Sequence, residues 1–202
     1  MTNAEFEKIK QDVCSLQGEK RFAHTLAVVD EAEYLGTACD FSKAETEKAK
    51  LAALLHDITK KFSDEEQAEM FKKYGIDIFS SPPTMHEKTG AYFARERYGK
   101  EIVDDEIFSA IFHHTTGGTN MSELDMVIFI ADYTEETRKP EICRKTREYL
   151  HAECEKLDHD RKKAYALLKE ITLSIIGNTL EFLMREKQRI DIRTVEAWNS
   201  MI

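Results

Sequence analysis

Ala49-Lys50-Leu51-Ala52-Ala53-Leu54-Leu55-His56-Asp57 is the stretch on which the reading turns: an apolar helical run that closes on adjacent histidine and aspartate. Ser42, with Glu45 three positions on, caps the start of this helix, which is predicted to run through Leu51 and Leu54 to His56. An adjacent His-Asp offers an imidazole nitrogen and carboxylate oxygens, donors of different hardness that can hold one cation or bridge two. The plainer alternative is a polar helix terminus whose aspartate caps the next segment of chain.

Working outward, apolar residues at three- and four-residue spacing predict a helix over about Asn3 to Leu16, stopped by Gly18. A second starts near Lys20, turns Phe22, Leu26, Val29 and Ala32 inward and carries His24 near its first turn. Beyond His56, Phe62-Ser63-Asp64-Glu65-Glu66 reads as a capped start for a helix ending at Tyr74-Gly75. Ser80-Ser81-Pro82-Pro83 is a strong turn signal before a helix bearing His86, Gly90, Ala91 and Phe93. A helix from about Asp104 to His113 runs out in His114-Thr115-Thr116-Gly117-Gly118.

Asp125 to Asp132 (Asp-Met-Val-Ile-Phe-Ile-Ala-Asp) has strand propensity, yet its surroundings are helical and no partner strands are visible, so a buried helix is expected. Pro140 to Arg189 reads as two helices broken near Leu157-Asp158, and Ile192 to Trp198 as a last short one. Ser174-Ile175-Ile176-Gly177-Asn178-Thr179 is expected to interrupt the C-terminal helix, where Ile175, Asn178 and Thr179 are either a base or ribose contact or a plain helix junction.

Composition agrees with an all-α protein. Eight Gly and three Pro in 202 residues, with 42% hydrophobic and 33% charged, are too few turn formers for a sheet protein. No Gly/Pro/Ser-rich linker divides the chain, so residues 1–202 are expected to form one domain. The net charge of −9 argues against a nucleic-acid partner, which needs a basic face to release counterions. No stretch approaches the roughly 20 apolar residues of a membrane span, and Met1–Glu7 lacks the features of a signal peptide, which points to the cytoplasm. Cys14, Cys39, Cys143 and Cys154 form no close C-x-x-C pair and are expected to be reduced and structural.

Taken one at a time, His24, His86 and His114 are ordinary helix histidines. Asp132 is harder to dismiss, because it closes the apolar segment Met126 to Ala131, where an unpaired carboxylate carries a large desolvation cost. It could face water, pair with Arg138 or bind a cation. Together with His56-Asp57, the set favours a metal site.

The order His24, His56-Asp57, His86, His114, Asp132 resembles the HD-domain metal-dependent phosphohydrolases, an all-helical superfamily. More narrowly, Lys20-Arg21-Phe22-Ala23-His24, Leu54-Leu55-His56-Asp57-Ile58-Thr59-Lys60, His86-Glu87-Lys88-Thr89-Gly90-Ala91, His114-Thr115-Thr116-Gly117 and Ala131-Asp132-Tyr133-Thr134-Glu135 are similar to the YqeK family. Thr194-Val195-Glu196-Ala197-Trp198-Asn199 is similar to that family's ending. The family carries a proline where this chain has Glu136 and an aromatic residue where it has His113. His114 is taken as the motif histidine because Thr115-Thr116-Gly117 follows it, leaving His113 either to pack beside the site or to support a ligand from behind.

The resemblance implies an HD-type helical bundle with additional C-terminal helices and symmetrical hydrolysis of diadenosine tetraphosphate to two ADP by a metal-activated hydroxide. A nucleotidase or phosphodiesterase on other nucleotides, and a slow nucleotide sensor, are the alternatives. It implies a metal, iron first with manganese or cobalt also accommodated, held by His24, His56, Asp57 and Asp132. His86 and His114 would complete a second metal site or hydrogen-bond a phosphate. Arg21, Lys60 and Arg138, by their motif positions, with Thr115 and Gly117, would bind the substrate. The expected partner is a small nucleotide, with a homodimer as the assembly to test.

Overall fold

The computed structural model describes residues 2–77 and 81–202. Ten α-helices follow one another among the described residues: α1 (Asn3–Gln17), α2 (Glu19–Ala38), α3 (Lys43–Leu55), α4 (Asp64–Tyr74), α5 (Met85–Tyr98), α6 (Asp105–His113), α7 (Glu123–Thr134), α8 (Glu141–Cys154), α9 (Arg161–Arg185) and α10 (Ile192–Met201). No strand occurs among the described residues. The all-α expectation holds.

Local chemistry sets the boundaries. Thr2, Ser42, Ser63 and Ser122 each accept from the backbone N–H three residues on, while the acid at that position returns the bond to the cap backbone. These reciprocal pairs satisfy N–H groups that a helix start leaves without partners. Gly75 ends α4 in the left-handed conformation, at φ 62°. The turn expected around residues 80–83 begins outside the described residues at Ser80. From Ser81 onward the chain makes a short 3-10 turn, Pro82–Thr84, that leads into α5.

The run of strand-like propensity lies in α7, whose residues from Leu124 to Ala131 are all buried. A helix enclosed on every side has no polar face and so shows no helical periodicity in sequence. α7 packs against α2, α3, α6, α8 and α9, and a continuous apolar cluster draws side chains from every helix except α4.

One expectation is corrected. Residues 174–179 do not interrupt a helix, because α9 runs unbroken from Arg161 to Arg185. Gly177 instead admits the Trp198 ring of α10: a Cβ at this position would lie 3.0 Å from Trp198 Cζ3. The four cysteines are free thiols, and Cys39, Cys143 and Cys154 are buried.

Candidate metal centre

α3 delivers its load by stopping. His56 is its C-terminal cap and Asp57 starts the turn beyond it, both fully buried. α2 brings His24, α5 brings His86, the end of α6 brings His114 and α7 brings Asp132. All six side chains expected at the centre meet in one place.

The imidazoles are oriented by their far edges. His56 Nδ1 lies 2.6 Å from the Ala53 carbonyl and His114 Nδ1 2.7 Å from that of Ile111, each three residues back along its own helix. His24 Nδ1 lies 3.1 Å from Glu135 Oε1. An acceptor at Nδ1 keeps the proton there and leaves the Nε2 lone pair free, the arrangement metal-binding histidines need.

Those Nε2 atoms converge on the carboxylates. Asp57 Oδ2 is 3.2 Å from His56 Nε2 and 3.8 Å from His24 Nε2, while Oδ1 is 3.2 Å from His86 Nε2 and 3.6 Å from His114 Nε2. Asp132 Oδ1 is 3.1 Å from His24 Nε2 and 3.8 Å from His56 Nε2. Ligand atoms of His24, His56 and Asp57, of His56, His114 and Asp132, and of Asp57, His86 and His114 lie within 4.8 Å of one another. Asp57 belongs to groups on both sides, so its two oxygens can serve two ions or one.

Burial makes this arrangement costly unless a cation joins it. His24 Nε2, His56 Nε2 and both Asp57 oxygens are buried without a hydrogen-bond partner among the described residues, although Arg21 Nη2 abuts Asp57 Oδ2 outside hydrogen-bond geometry. Desolvation holds His56 and His86 well below the usual histidine range, and lowers His114 as well. Their neutral form is the ligating form. For His24, burial is outweighed by the Asp132 and Glu135 carboxylates beside its two ring nitrogens, which raise its pKa. Burial likewise opposes ionisation of Asp132, but Arg138, His24 and His56 prevail and hold the acid well below the usual carboxylate range. The neutral imidazoles of His56, His86 and His114 beside ionised carboxylates fit a divalent first-row ion.

Cations border the centre. Arg138 donates from Nη2 to Asp132 Oδ1 at 2.5 Å and from Nε to the Asp132 carbonyl at 2.7 Å, so the ion pair weighed for Asp132 is present along with its histidine contacts. Lys60 Nζ lies 3.2 Å from His86 Nδ1, and burial, reinforced by Arg21, brings its pKa down to about 8. A cleft that reaches His24 is lined by Lys20, Arg21, Lys61, Arg138 and Lys139. On a chain of net charge −9 this is a local reversal of sign.

Thr115 Oγ1 stands 3.2 Å from His86 Nε2. Gly117, at φ 69°, closes the turn after α6 through its N–H to the His113 carbonyl and is pressed by Ala197, which a Cβ here would approach to 3.1 Å. His113 points elsewhere: its Nδ1 lies 3.2 Å from Ser109 Oγ, and its ring packs on Gly118. Of the residues expected at a base pocket, Ile175 is buried in the core. Asn178 and Thr179 line a separate cleft with Tyr133, Pro140, Ile142, Cys143 and Phe182, next in sequence to Asp132 through Tyr133. Two side chains had no assigned role in sequence. Glu135 orients His24, and Glu87 accepts from the turn after His114. Both lie inside the quoted motifs, which was the available signal.

An all-helical bundle presenting His24, a His-Asp pair, two further histidines and a final aspartate defines a class, and the HD domain model matches residues 21–137. The chain belongs to the HD domain family. It is 31% identical over 191 residues to a Halalkalibacterium halodurans protein named symmetrical bis(5'-nucleosyl)-tetraphosphatase, covering 91% of this chain and 90% of that one. A Bacillus subtilis protein of the same name is 29% identical, with the same coverage of each chain. Among solved structures, a Clostridium acetobutylicum protein described as a predicted HD superfamily hydrolase involved in NAD metabolism superposes with a TM-score of 0.82 at 30% identity. That match covers 97% of this chain and 96% of the other.

Proposed function

We propose that the chain, acting as a single HD-domain unit over residues 1–202, hydrolyses dinucleoside tetraphosphates symmetrically, with diadenosine tetraphosphate giving two ADP. The observation that carries this reading is the buried set of Nε2 and Oδ atoms without hydrogen-bond partners beside a cleft rich in cations. The names of the two similar proteins add the substrate class.

His24, His56, Asp57 and Asp132 would hold the first divalent ion, iron with manganese or cobalt as substitutes, and His86 and His114 a second ion or a phosphate oxygen. When bound, the metal supplies Lewis acidity and water acidic enough to ionise near neutral pH. Arg21 and Arg138 offer planar forks to phosphate oxygens, Lys60 a point charge and Thr115 a hydroxyl. Lys20, Lys61 and Lys139 extend the positive lining toward solvent, where the distal phosphates of a long polyphosphate would lie. Asn178 and Thr179, which line the cleft beside Tyr133, would meet a base or ribose.

Symmetrical cleavage adds water oxygen to one inner phosphorus and breaks its bond to the bridging oxygen, which leaves with the second ADP. The arginines stabilise charge on the non-bridging oxygens as that bond opens. Among the described residues no helix is long and apolar enough to cross a membrane, and the cytoplasm is the compartment we propose for this hydrolase. Chromatography of products from diadenosine tetraphosphate is the test. ADP alone is expected; AMP with ATP would refute symmetrical cleavage. Unchanged turnover in a His56→Ala/Asp57→Ala protein would refute the metal reading.

A further inference from the structure

We propose that Glu87 is the positioning residue of the Thr115–Thr116 turn, with Lys88 as its buried counter-ion. The catalytic half of this inference rests on the hydrolase reading above; the structural half does not.

Glu87 and Lys88 are both fully buried, adjacent on α5 immediately after His86. Glu87 Oε2 accepts from the backbone N–H of Thr115 at 3.0 Å and of Thr116 at 2.9 Å, and Oε1 accepts from Thr116 Oγ1 at 2.8 Å. Lys88 Nζ donates to the same Oε1 and lies 3.9 Å from Asp191 Oδ2, the cap of α10. The carboxylate therefore gathers two consecutive main-chain donors, a hydroxyl and an ammonium.

A buried ion pair is a poor way to add stability, because desolvation offsets most of its attraction and apolar residues of the same volume often do as well. What an apolar pair cannot supply is a carboxylate oxygen that accepts from two adjacent N–H groups while its twin holds the Thr116 hydroxyl. Glu87 supplies it where the chain leaves α6, between His114, which faces Asp57, and Gly117, which closes the turn. Because α5 carries both His86 and Glu87, the helix that places one face of the centre also fixes the turn opposite it. Thr115 Oγ1 and His114 Nε2 are thereby held 3.2 and 3.1 Å from His86 Nε2.

The test is Glu87→Met/Lys88→Met, which removes both charges together and leaves neither buried alone, with Glu87→Gln as the conservative partner that retains one acceptor oxygen. Amide hydrogen exchange at Thr115 and Thr116 should accelerate at least tenfold in the double variant, relative to amides within α6, and less in Glu87→Gln. With diadenosine tetraphosphate, kcat should fall about tenfold or more in the double variant, with partial rescue in Glu87→Gln and one tightly bound metal ion retained. Unchanged exchange at both threonines in the folded double variant overturns the proposal, as does accelerated exchange with an unaltered kcat. A parent protein without hydrolytic activity would refute the hydrolase reading alone, since the exchange measurement decides the positioning role by itself.

Discussion

Glu135 and Asp132 grip the His24 ring from opposite edges, each with a carboxylate oxygen 3.1 Å from a ring nitrogen, Glu135 at Nδ1 and Asp132 at Nε2. Glu135 is in turn held by the Thr137 N–H at 2.6 Å and hydroxyl at 2.8 Å. Carboxylates behind ligating histidines typically contribute 10–100-fold to metal affinity. Glu135→Ala is expected to weaken metal binding by about that factor in a chelator competition, and Glu135→Gln, which keeps an acceptor at Nδ1, by less.

Adding metal should stabilise the fold, since the ligands come together only in the native state. At a free ion concentration 100 times its dissociation constant, linkage gives about 2.7 kcal/mol, and a chain of this size gains roughly 2–4 °C per kcal/mol. A rise in Tm of roughly 5–10 °C over chelator-treated protein is expected by calorimetry, and its absence from His56→Ala/Asp57→Ala would assign it to this centre.

Arg21 and Arg138 should act on substrate more than on folding. Each has its guanidinium at the cleft and a carboxylate of the centre beside it, Asp57 for Arg21 and Asp132 for Arg138. Replacing either with alanine is expected to lower kcat/KM for diadenosine tetraphosphate by roughly 10–100-fold, about the 1.4–2.7 kcal/mol of a charge-assisted bond to phosphate. Lysine should rescue incompletely, because a point charge does not reproduce the fork. Steady-state kinetics of the four variants would check this.

Much of the centre was legible in sequence because its residues fall at the ends of apolar runs: His56-Asp57 after Leu55, and Asp132 after Ala131. α7 was readable as a helix only by context, since enclosure on all sides had erased its period. Gly177 was misread because a glycine inside a helical pattern means either a break or a close approach, and only the partner Trp198, 21 residues further on, decides which. Glu135 and Glu87 act on groups 111 and 28 residues away, separations at which spacing carries no signal.

Acid stability should depend on Asp12 of α1. It accepts from Arg97 Nε at 2.5 Å and Nη2 at 2.6 Å and from the Tyr98 hydroxyl at 2.6 Å, tying α1 to α5. The Arg97 bonds, aided by Tyr98 and opposed by partial burial, hold the Asp12 carboxyl below its usual value. Between the native and unfolded pKa values the unfolded chain binds more protons, so this contribution is complete above the unfolded value of about 4 and fades as pH falls through the lower native one. Arg97 is partly exposed and solvent screens the pair, which limits it to about 1 kcal/mol or less. Asp12→Asn is expected to lower Tm by up to about 4 °C at pH 7 and by less at pH 3, read by thermal melts at both.

Gly117 should tolerate no side chain. Its φ of 69° disfavours L-residues and Ala197 Cβ already stands where a new methyl would be crowded. Gly117→Ala is expected to cost about 1–3 kcal/mol and to reduce turnover as the turn shifts, measured by denaturant melts beside kinetics.

Because the six converging side chains are spread from residue 24 to residue 132 over five different helices, a growing polypeptide has no complete cage to offer until α7 has emerged and docked among α2, α3 and α6. A metal held by the full set would therefore be acquired only after α7 has docked. A fragment ending before residue 123 would still display five of the six groups, but no wall would stand behind them to keep water out.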